Sequence, residues 1–335
     1  MNTTPSSLQV PSTAASGRGT DIHPADDQDQ PQVDATNRMP AAGERALVLG
    51  GGGSTGNAWL IGVIAGLSEA GLDVTRADLT IGTSAGSTAA AQITSATPAA
   101  LFDDIVAAAF GPRTGPAGSG RRPGMTTSTT NHLAATNAII AASADAADMR
   151  RRMGAAALDK DAASDGSAQS RWRATVASRL PSQLWPDRRV LITAVDARTG
   201  EPVVFDRDSG VDLADAVAAS CSSGFANGIG DGRYIDGGYR TNADNADLAA
   251  GYARVLVLSP FGGRSRTPAE WGMQLATQVD ELRAHGSRVE TIFPDSDSEH
   301  LFGANAMDPS LRPVAARAGH DQGRALAGQL SAFWG

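Results

Sequence analysis

Short apolar runs alternate with longer amphipathic stretches along most of this chain. The amphipathic stretches predict helices at 57–70, 85–93, 101–110, 212–220, 268–284 and 312–333, with weaker helical stretches up to residue 184. The apolar runs predict strands at 45–49, 79–82, 189–195, 203–205, 254–259 and 289–293. Because strands that alternate with helices favour parallel pairing with helices on both faces, we predict a three-layer α/β/α fold with a mainly parallel central sheet.

Two segments depart from this alternation. Residues 1–42 are rich in Ser, Thr, Pro, Gln and Asp and contain few large apolar side chains, so they cannot bury enough surface to offset chain entropy. Residues 111–130 are rich in Gly and Pro and predict a long loop, a kind of segment that is often a lid or mobile. We therefore expect a disordered tail over 1–42 and one folded domain over 43–335.

Composition and charge exclude several classes of function. The chain of 335 residues has a formal net charge of −8 and a pI near 5.1, which argues against nucleic acid as a general partner. Residues 111–189 nevertheless carry more Arg and Lys than Asp and Glu. Cys221 is the single cysteine, which excludes an intramolecular disulfide and metal sites that need two cysteines. No apolar run has the length of a membrane span and no secretory signal is recognisable, so we expect a cytoplasmic protein.

The most informative motif follows the second predicted strand and precedes an Ala-rich stretch that can be helical. It consists of Gly82, Thr83, Ser84, Ala85 and Gly86. A strand, a sharp turn and a helix form the context of a nucleophile elbow, in which glycines remove Cβ clashes and expose the serine hydroxyl. The helix directs its N–H groups and positive dipole end toward the turn. Ser84 is therefore a candidate nucleophile, and the alternative is an ordinary Gly/Ser turn.

A second glycine-rich turn follows the first predicted strand and includes Gly51, Gly52, Gly53 and Gly56. The spacing fits a dinucleotide-binding G-x-G-x-x-G motif, but that motif also needs an acidic residue at the end of the second strand. Asp73 and Asp78 both precede that strand, which weakens the dinucleotide interpretation. Consecutive glycines can also direct several backbone N–H groups at one point, as an oxyanion hole requires. A flexible glycine loop is the third alternative.

A serine nucleophile needs a base, and the sequence offers two kinds. His285, His300 and His320 follow both Ser84 and Asp236, so a Ser–Asp–His triad is available, although none of these histidines stands in a distinctive turn. Asp236 itself follows Tyr234 and Ile235 and precedes two glycines, Gly237 and Gly238, that permit close backbone approach. A plain hairpin turn is the alternative for this motif.

The three motifs, in this order and spacing, resemble those of the patatin-like phospholipase family of lipid acyl hydrolases. The similarity extends over roughly residues 45–330 and includes the segments around Trp59 and Cys221. Two departures are visible: Thr55 stands where many members carry Arg or Lys, and Ser222 and Ser223 stand where many have Pro.

The resemblance implies a Ser–Asp dyad in which Ser84 is the nucleophile and Asp236 is the base. It implies an oxyanion hole of backbone N–H groups from Gly51, Gly52 and Gly53, with Ala85 as a further donor. Burial would have to raise the pKa of Asp236, because an ordinary aspartate is a weak base near pH 7. The reaction would be hydrolysis of lipid esters through an acyl-serine, without cofactor or metal.

The resemblance also implies that residues 101–185 form a helical, Arg-rich cap or lid that meets lipid head groups in transient membrane contacts. Two other functions stay open. One is an α/β-hydrolase esterase with a histidine-dependent triad, and the other is a non-catalytic module that binds lipid or nucleotide. The sequence does not indicate an oligomeric state.

Overall fold

The computed structural model describes residues 33–38, 43–108, 123–162 and 166–335, except for the side chains of residues 37 and 123–130. The strands in these ranges are β1 (Gly43–Leu49), β2 (Leu79–Gly82), β3 (Arg189–Asp196), β4 (Pro202–Phe205), β5 (Asn227–Ile229), β6 (Gly232–Asp236), β7 (Tyr252–Leu258) and β8 (Arg288–Ile292). The helices are α1 (Gly53–Glu69), α2 (Ala85–Ile93), α3 (Pro98–Ala107), α4 (Pro123–Ala142), α5 (Ala146–Ala162), α6 (Ser167–Ala177), α7 (Leu213–Ser220), α8 (Leu275–Ala284) and α9 (Arg312–Trp334).

The strands form one mixed sheet in the order β5-β6-β3-β2-β1-β7-β8, and β4 pairs with β3. The pairs among β3, β2, β1, β7 and β8 are parallel, whereas β4, β5 and β6 pair antiparallel. Leu49 lies opposite both Gly82 and Leu258, so β1, β2 and β7 end at the same edge of the sheet. The mainly parallel arrangement with helices on both sides confirms the predicted fold class. Its carboxyl edge is where open α/β sheets bind their ligands.

Alternate side chains of β1 enter two different cores, as the period of two in a strand requires. Leu47 and Leu49 pack into a cluster with α1, α2, α3, α7 and α9. Ala46 and Val48 pack into a cluster on the opposite face, with α8 and the short helix Ala246–Ala249. A third cluster joins α4 and α5 to the ends of β3 and β6. The helix-covered faces hold the carboxyl edge in place, and the site described below is built on that edge.

Three boundary predictions are wrong in part. Residues 33–38 were expected in the disordered tail, but Ala35 is fully buried and its N–H donates to Val204 in β4 at 2.8 Å. Residues 123–130 were expected in the loop but belong to α4, because a proline is tolerated in the first turn of a helix. The helix predicted from 268 begins at Leu275, after a short 3-10 turn. The rest of the predicted tail and loop lies outside the described residues.

No helix among the described residues combines the length and apolar character needed to cross a bilayer.

Candidate active site

Ser84 occupies a strained turn between β2 and α2. Its φ is +52° and its ψ is −116°, a conformation of the kind that non-glycine residues adopt at a cost of about 1–3 kcal/mol. The flanking glycines are dictated by space, since a Cβ at Gly82 would lie 2.6 Å from the Cα of Ser87. A Cβ at Gly86 would collide with the carbonyl oxygen of Leu49 at the end of β1. The G-x-S-x-G pattern therefore reflects how tightly the elbow is packed against the sheet.

The carboxylate of Asp236 meets this serine from the neighbouring part of the sheet. Asp236 ends β6, which pairs antiparallel with β3, so it lies opposite Ala194. The hydroxyl of Ser84 donates to Oδ2 of Asp236 at 2.9 Å, and the N–H of Gly238 donates to Oδ1 at 2.8 Å. The two side chains that the sequence motifs singled out are thus in direct hydrogen-bond contact.

Burial changes the acidity of this carboxyl group. Asp236 is 7% exposed. Desolvation raises its pKa to about 6, against smaller lowering effects of the hydrogen bonds from Gly238 and Ser84. At pH 7 the group is then mostly ionised, yet it is a much stronger base than a solvated aspartate. This combination suits a general base that accepts the proton of a serine hydroxyl.

The glycine-rich turn after β1 lies beside the serine, but its N–H groups are not equivalent. A Cβ at Gly51 would lie 3.5 Å from the Cβ of Ser84, which places the turn next to the hydroxyl-bearing carbon. The N–H of Gly51, expected as an oxyanion donor, is already bonded to the carbonyl of Ala243 at 2.7 Å. The N–H groups of Gly52, Gly53 and Ala85 have no hydrogen-bond acceptor within the described part of the chain. These three, rather than Gly51, are the available donors.

Two residues at the end of α7 hold the elbow from behind. The hydroxyl of Ser220 accepts a hydrogen bond from the N–H of Ser84 at 2.9 Å, and the thiol of Cys221 donates to the carbonyl of Ser84 at 3.1 Å. Burial raises the pKa of Cys221 to about 11, so it stays a protonated thiol at neutral pH. The backbone of the strained residue is therefore held on both sides. Sequence reasoning had noted the segment around Cys221 without assigning it this role.

A buried asparagine connects the elbow to the Asp-Gly-Gly turn. Asn245 adopts a left-handed conformation with a φ of +55° and is fully buried. Its amide donates to the hydroxyl of Thr83 at 2.9 Å and to the carbonyl of Gly237 at 3.0 Å. Since Thr83 precedes Ser84 and Gly237 follows Asp236, this one side chain sets the spacing between the two motifs. No local motif in the sequence predicts this role for Asn245.

The histidines expected for a triad lie elsewhere. His285 and His300 are exposed and bond to backbone carbonyls of their own segments, and His320 contacts Glu69 at 2.7 Å and stacks on Phe102. None of these three lines the cavity that contains Ser84. His132 in α4 does line it, and its Nε2 lies 2.9 Å from the hydroxyl of Ser223. Sequence reasoning missed His132 because it lies between the serine and the aspartate in chain order.

The cavity has a volume of about 250 Å³ and combines a polar floor with apolar walls. Its floor includes Ser84, Asp236 and the glycine-rich turn. Its apolar wall residues are Leu133, Ile140, Met149, Phe261 and Met307. Arg264, Arg266 and His132 also line it, and Asp236 is the acidic residue among the described lining residues. The space can therefore take an amphiphilic molecule.

The two acidic residues considered for a dinucleotide site have other roles in the structure. The carboxylate of Asp78 accepts hydrogen bonds from the N–H groups of Glu44 and Arg45, at the opposite end of β1 from the glycines. Asp73 caps a short 3-10 helix through Thr75. Neither carboxylate is placed to bind a ribose at the glycine-rich turn. Among the described residues, no group of three or more His, Cys, Asp and Glu side chains is arranged to hold a metal ion.

The first departure from the family pattern has a structural explanation. Thr55 is fully buried, and its hydroxyl donates to the carbonyl of Leu301 at 2.9 Å. A positive charge reaches the same turn from the start of α9, because Arg312 donates to the carbonyl of Ser54 at 2.8 Å and to Asn57 at 3.1 Å. Burial and, to a smaller extent, the charge of Arg179 lower the pKa of Arg312 to about 10, so it stays charged at pH 7.

The second departure lies on the cavity wall. Ser222 is buried and its carbonyl accepts the N–H of Asp236 at 3.1 Å, whereas Ser223 lines the cavity. Gly224 follows with a φ of +85°, and a Cβ there would lie 2.6 Å from the ring of His132. Where many members of the family have a proline, this chain has a segment that lies against the ring of His132.

A serine on a strained turn between a strand and a helix of an α/β sheet is typical of one class of serine hydrolases. The model of the patatin-like phospholipase family matches residues 47–249, more than half of the chain. The chain therefore belongs to the patatin-like phospholipase family, a family of lipid acyl hydrolases, which confirms the resemblance. No curated protein sequence matches it. The crystal structure of VipD from Legionella pneumophila is similar over 87% of this chain and 67% of that one, with 12% identity and a TM-score of 0.39.

Proposed function

We propose that this protein is a serine acyl hydrolase that cleaves ester bonds of lipids through a Ser84–Asp236 dyad. The observation that carries the proposal is the 2.9 Å hydrogen bond from the hydroxyl of Ser84 to the carboxylate of Asp236 on the floor of an amphiphilic cavity. A base in direct contact with the hydroxyl needs no intervening histidine. Membership of the family supports the same class of substrate.

In the proposed reaction, Asp236 accepts the proton of the Ser84 hydroxyl as its oxygen attacks the ester carbonyl carbon. The carbonyl oxygen becomes an oxyanion, and the unpaired N–H groups of Gly52, Gly53 and Ala85 are suited to stabilise it. Protonated Asp236 then gives the proton to the leaving alcohol as the carbon–oxygen bond breaks. This step leaves an acyl-serine.

Water completes the cycle in a second half-reaction, in which the oxygen of Ser84 is the leaving group. Asp236 accepts a proton from water as the water oxygen attacks the acyl carbonyl carbon, and the second tetrahedral intermediate uses the same N–H groups. Its collapse releases the fatty acid and returns the proton from Asp236 to the oxygen of Ser84. No cofactor or metal takes part in either half of the proposed reaction.

We also propose that α4 and α5 form part of a cap over the cavity. His132, Leu133 and Ile140 of α4 and Met149 of α5 contribute to its wall. In contrast, α3 packs against α1 and α9, so it belongs to the helical layer on the sheet and not to the proposed cap. A cap that opens at a lipid surface would give the acyl chain a path to Ser84.

The test is hydrolysis of a panel of phospholipids, lysophospholipids, acylglycerols and p-nitrophenyl esters by wild type, Ser84→Ala and Asp236→Asn. Ser178→Ala is the matched control, since Ser178 is exposed and does not line the cavity. We expect at least one ester to be cleaved by wild type and the control, not by Ser84→Ala, and at least about 100-fold more slowly by Asp236→Asn. A fluorophosphonate should label wild type and the control but not Ser84→Ala. Labelling that persists in Ser84→Ala, or no hydrolysis of any ester by folded wild type, would refute the proposal.

A further inference from the structure

The rim of the active-site cavity carries positive charge, whereas its floor carries the carboxylate of Asp236. Arg264 and Arg266 follow β7 in an exposed segment, and His132 faces them from α4. No acidic side chain among the described lining residues lies at this rim. A ligand that spans the cavity from floor to rim therefore meets opposite charges at its two ends.

The two rim arginines differ in their partners. Arg264 lies 3.6 Å from the carboxylate of Glu299 and donates to the carbonyl of Phe261 at 3.0 Å. Arg266 donates to the side-chain carbonyl of Asn137 in α4 at 3.1 Å, and it makes no ion pair with any carboxylate in the described ranges. Asn137 orients the guanidinium without neutralising it. Arg266 is therefore the rim cation whose charge is available to a ligand.

The charge of Arg266 acts on the cavity interior. The pKa of His132 is lowered, first by burial and then by the charges of Lys160 and Arg266. His132 is therefore mostly neutral at pH 7 and can donate or accept a hydrogen bond beside Ser223. The rim thus offers one uncompensated cation and a neutral imidazole, a combination that attracts an anion bearing several oxygen atoms.

We propose that Arg266 selects ester substrates that carry an anionic group, a phosphate or a carboxylate, near the scissile ester. This inference rests on the proposed function, because it assigns a substrate class to the same cavity. The acyl chain would contact the apolar walls, the ester would lie over Ser84, and the anion would remain at the water-accessible rim. An anion deeper in the cavity would be repelled by Asp236, which is why the rim is the favourable position.

The test measures binding rather than turnover, so that it does not depend on hydrolysis. Calorimetry with the Ser84→Ala protein compares octanoylglycerol, octanoylglycerol phosphate and octanoylglycerate, three esters with the same acyl chain. Because a hydrogen bond to a charged group is worth about tenfold in an equilibrium constant, we expect an anionic ligand to bind about tenfold more tightly than octanoylglycerol. The tighter of the two anionic ligands identifies phosphate or carboxylate.

Variants then assign the preference to one residue. Arg266→Gln in the Ser84→Ala background should reduce the difference between anionic and neutral ligands to less than about twofold, and Arg266→Lys should keep part of it because the charge remains. Arg76→Gln is the control, since Arg76 is an exposed arginine beside Asp73 that does not line this cavity. Equal binding of all three ligands, or a preference that survives Arg266→Gln, overturns the inference. An anion preference in a protein that cleaves no ester would refute the proposed hydrolysis and leave this site standing.

Discussion

Asp236 and Asp244 are two buried carboxyl groups on opposite sides of the glycine-rich turn. Asp236 faces the cavity and both of its oxygens are hydrogen-bonded, to Ser84 and to Gly238. Asp244 is 1% exposed, does not line the cavity, and its Oδ1 has no hydrogen-bond partner among the described residues. A Cβ at Gly50 would collide with that oxygen, so Asp244 lies directly behind the turn.

Acidity alone would not select the proposed base from this pair. Burial raises the pKa of Asp236 to about 6 and that of Asp244 to about 7, the latter against a smaller lowering by a hydrogen bond from Ser259. The larger perturbation thus belongs to the group that touches no cavity. A perturbed pKa marks a candidate, and contact with a nucleophile beside a cavity decides between candidates.

The largest expected effect is on catalysis, and it separates the two residues. Asp236→Asn should lower kcat/KM about 10²- to 10⁴-fold, because the amide keeps the shape of the side chain but cannot accept the proton of Ser84. Asp244→Asn should leave kcat/KM within about threefold of wild type, because it changes no group that contacts the substrate. Steady-state kinetics on the best ester of the panel measure both.

Equal losses in the two variants would break the comparison. In that case Asp244 would act on the reaction through the glycine-rich turn, and the contact of Ser84 with Asp236 would no longer explain the activity. Circular dichroism of both variants controls for loss of folding.

The second expected effect is on stability, and here the substitution of Asp244 should have the larger effect of the two. Both carboxyls have a pKa above the unfolded value of 3.8, so their contribution to the free energy of unfolding falls as the pH rises from about 4 to 7. At pH 8, Asp244→Asn should raise the free energy of unfolding by up to about 4 kcal/mol and Asp236→Asn by up to about 3 kcal/mol, since each pKa unit corresponds to about 1.4 kcal/mol. At pH 4 the gains should be small, because both native carboxyls are then neutral.

Urea unfolding at pH 4 and pH 8 tests this expectation. Asp187→Asn is the matched control, since the side chain of Asp187 is fully exposed and pairs weakly with Arg207 at 3.5 Å. A gain at pH 8 that also appears at pH 4, or in the control, would mean that the effect does not come from burying a charge.

The sequence singled out Ser84 and Asp236 as candidates because their surroundings require glycine. The elbow excludes a Cβ at Gly82 and Gly86, and Gly237 packs against Thr193. The requirement for glycine can therefore be recognised from the local sequence. The alternation of strands and helices likewise predicted the central sheet and most of its helices. Where close packing or periodicity dictates residue type locally, the sequence predicts elements of the fold and singles out candidate residues.

Sequence reasoning failed where the role of a residue depends on a contact with a distant segment of the chain. Ser220 and Asn245 hold the elbow from segments more than a hundred residues away, and no local pattern in the sequence assigns either of them this role. The N–H of Gly51 donates a hydrogen bond to the carbonyl of Ala243, a contact that no spacing within the glycine-rich turn predicts. Asp244 and His132 also acquire their environments only when the chain folds.

The smallest expected effect is on the pH dependence, and it sharpens the comparison most. If Asp236 is the base, kcat/KM should be constant above pH 7 and fall below pH 6, reaching about one tenth of the plateau at pH 5, because the protonated carboxyl cannot accept the serine proton. The inflection should survive in Asp244→Asn. Asp244 should add no second inflection near pH 7, although it titrates there. An inflection near pH 7 that disappears in Asp244→Asn would make the carboxyl behind the glycine-rich turn part of the catalytic apparatus.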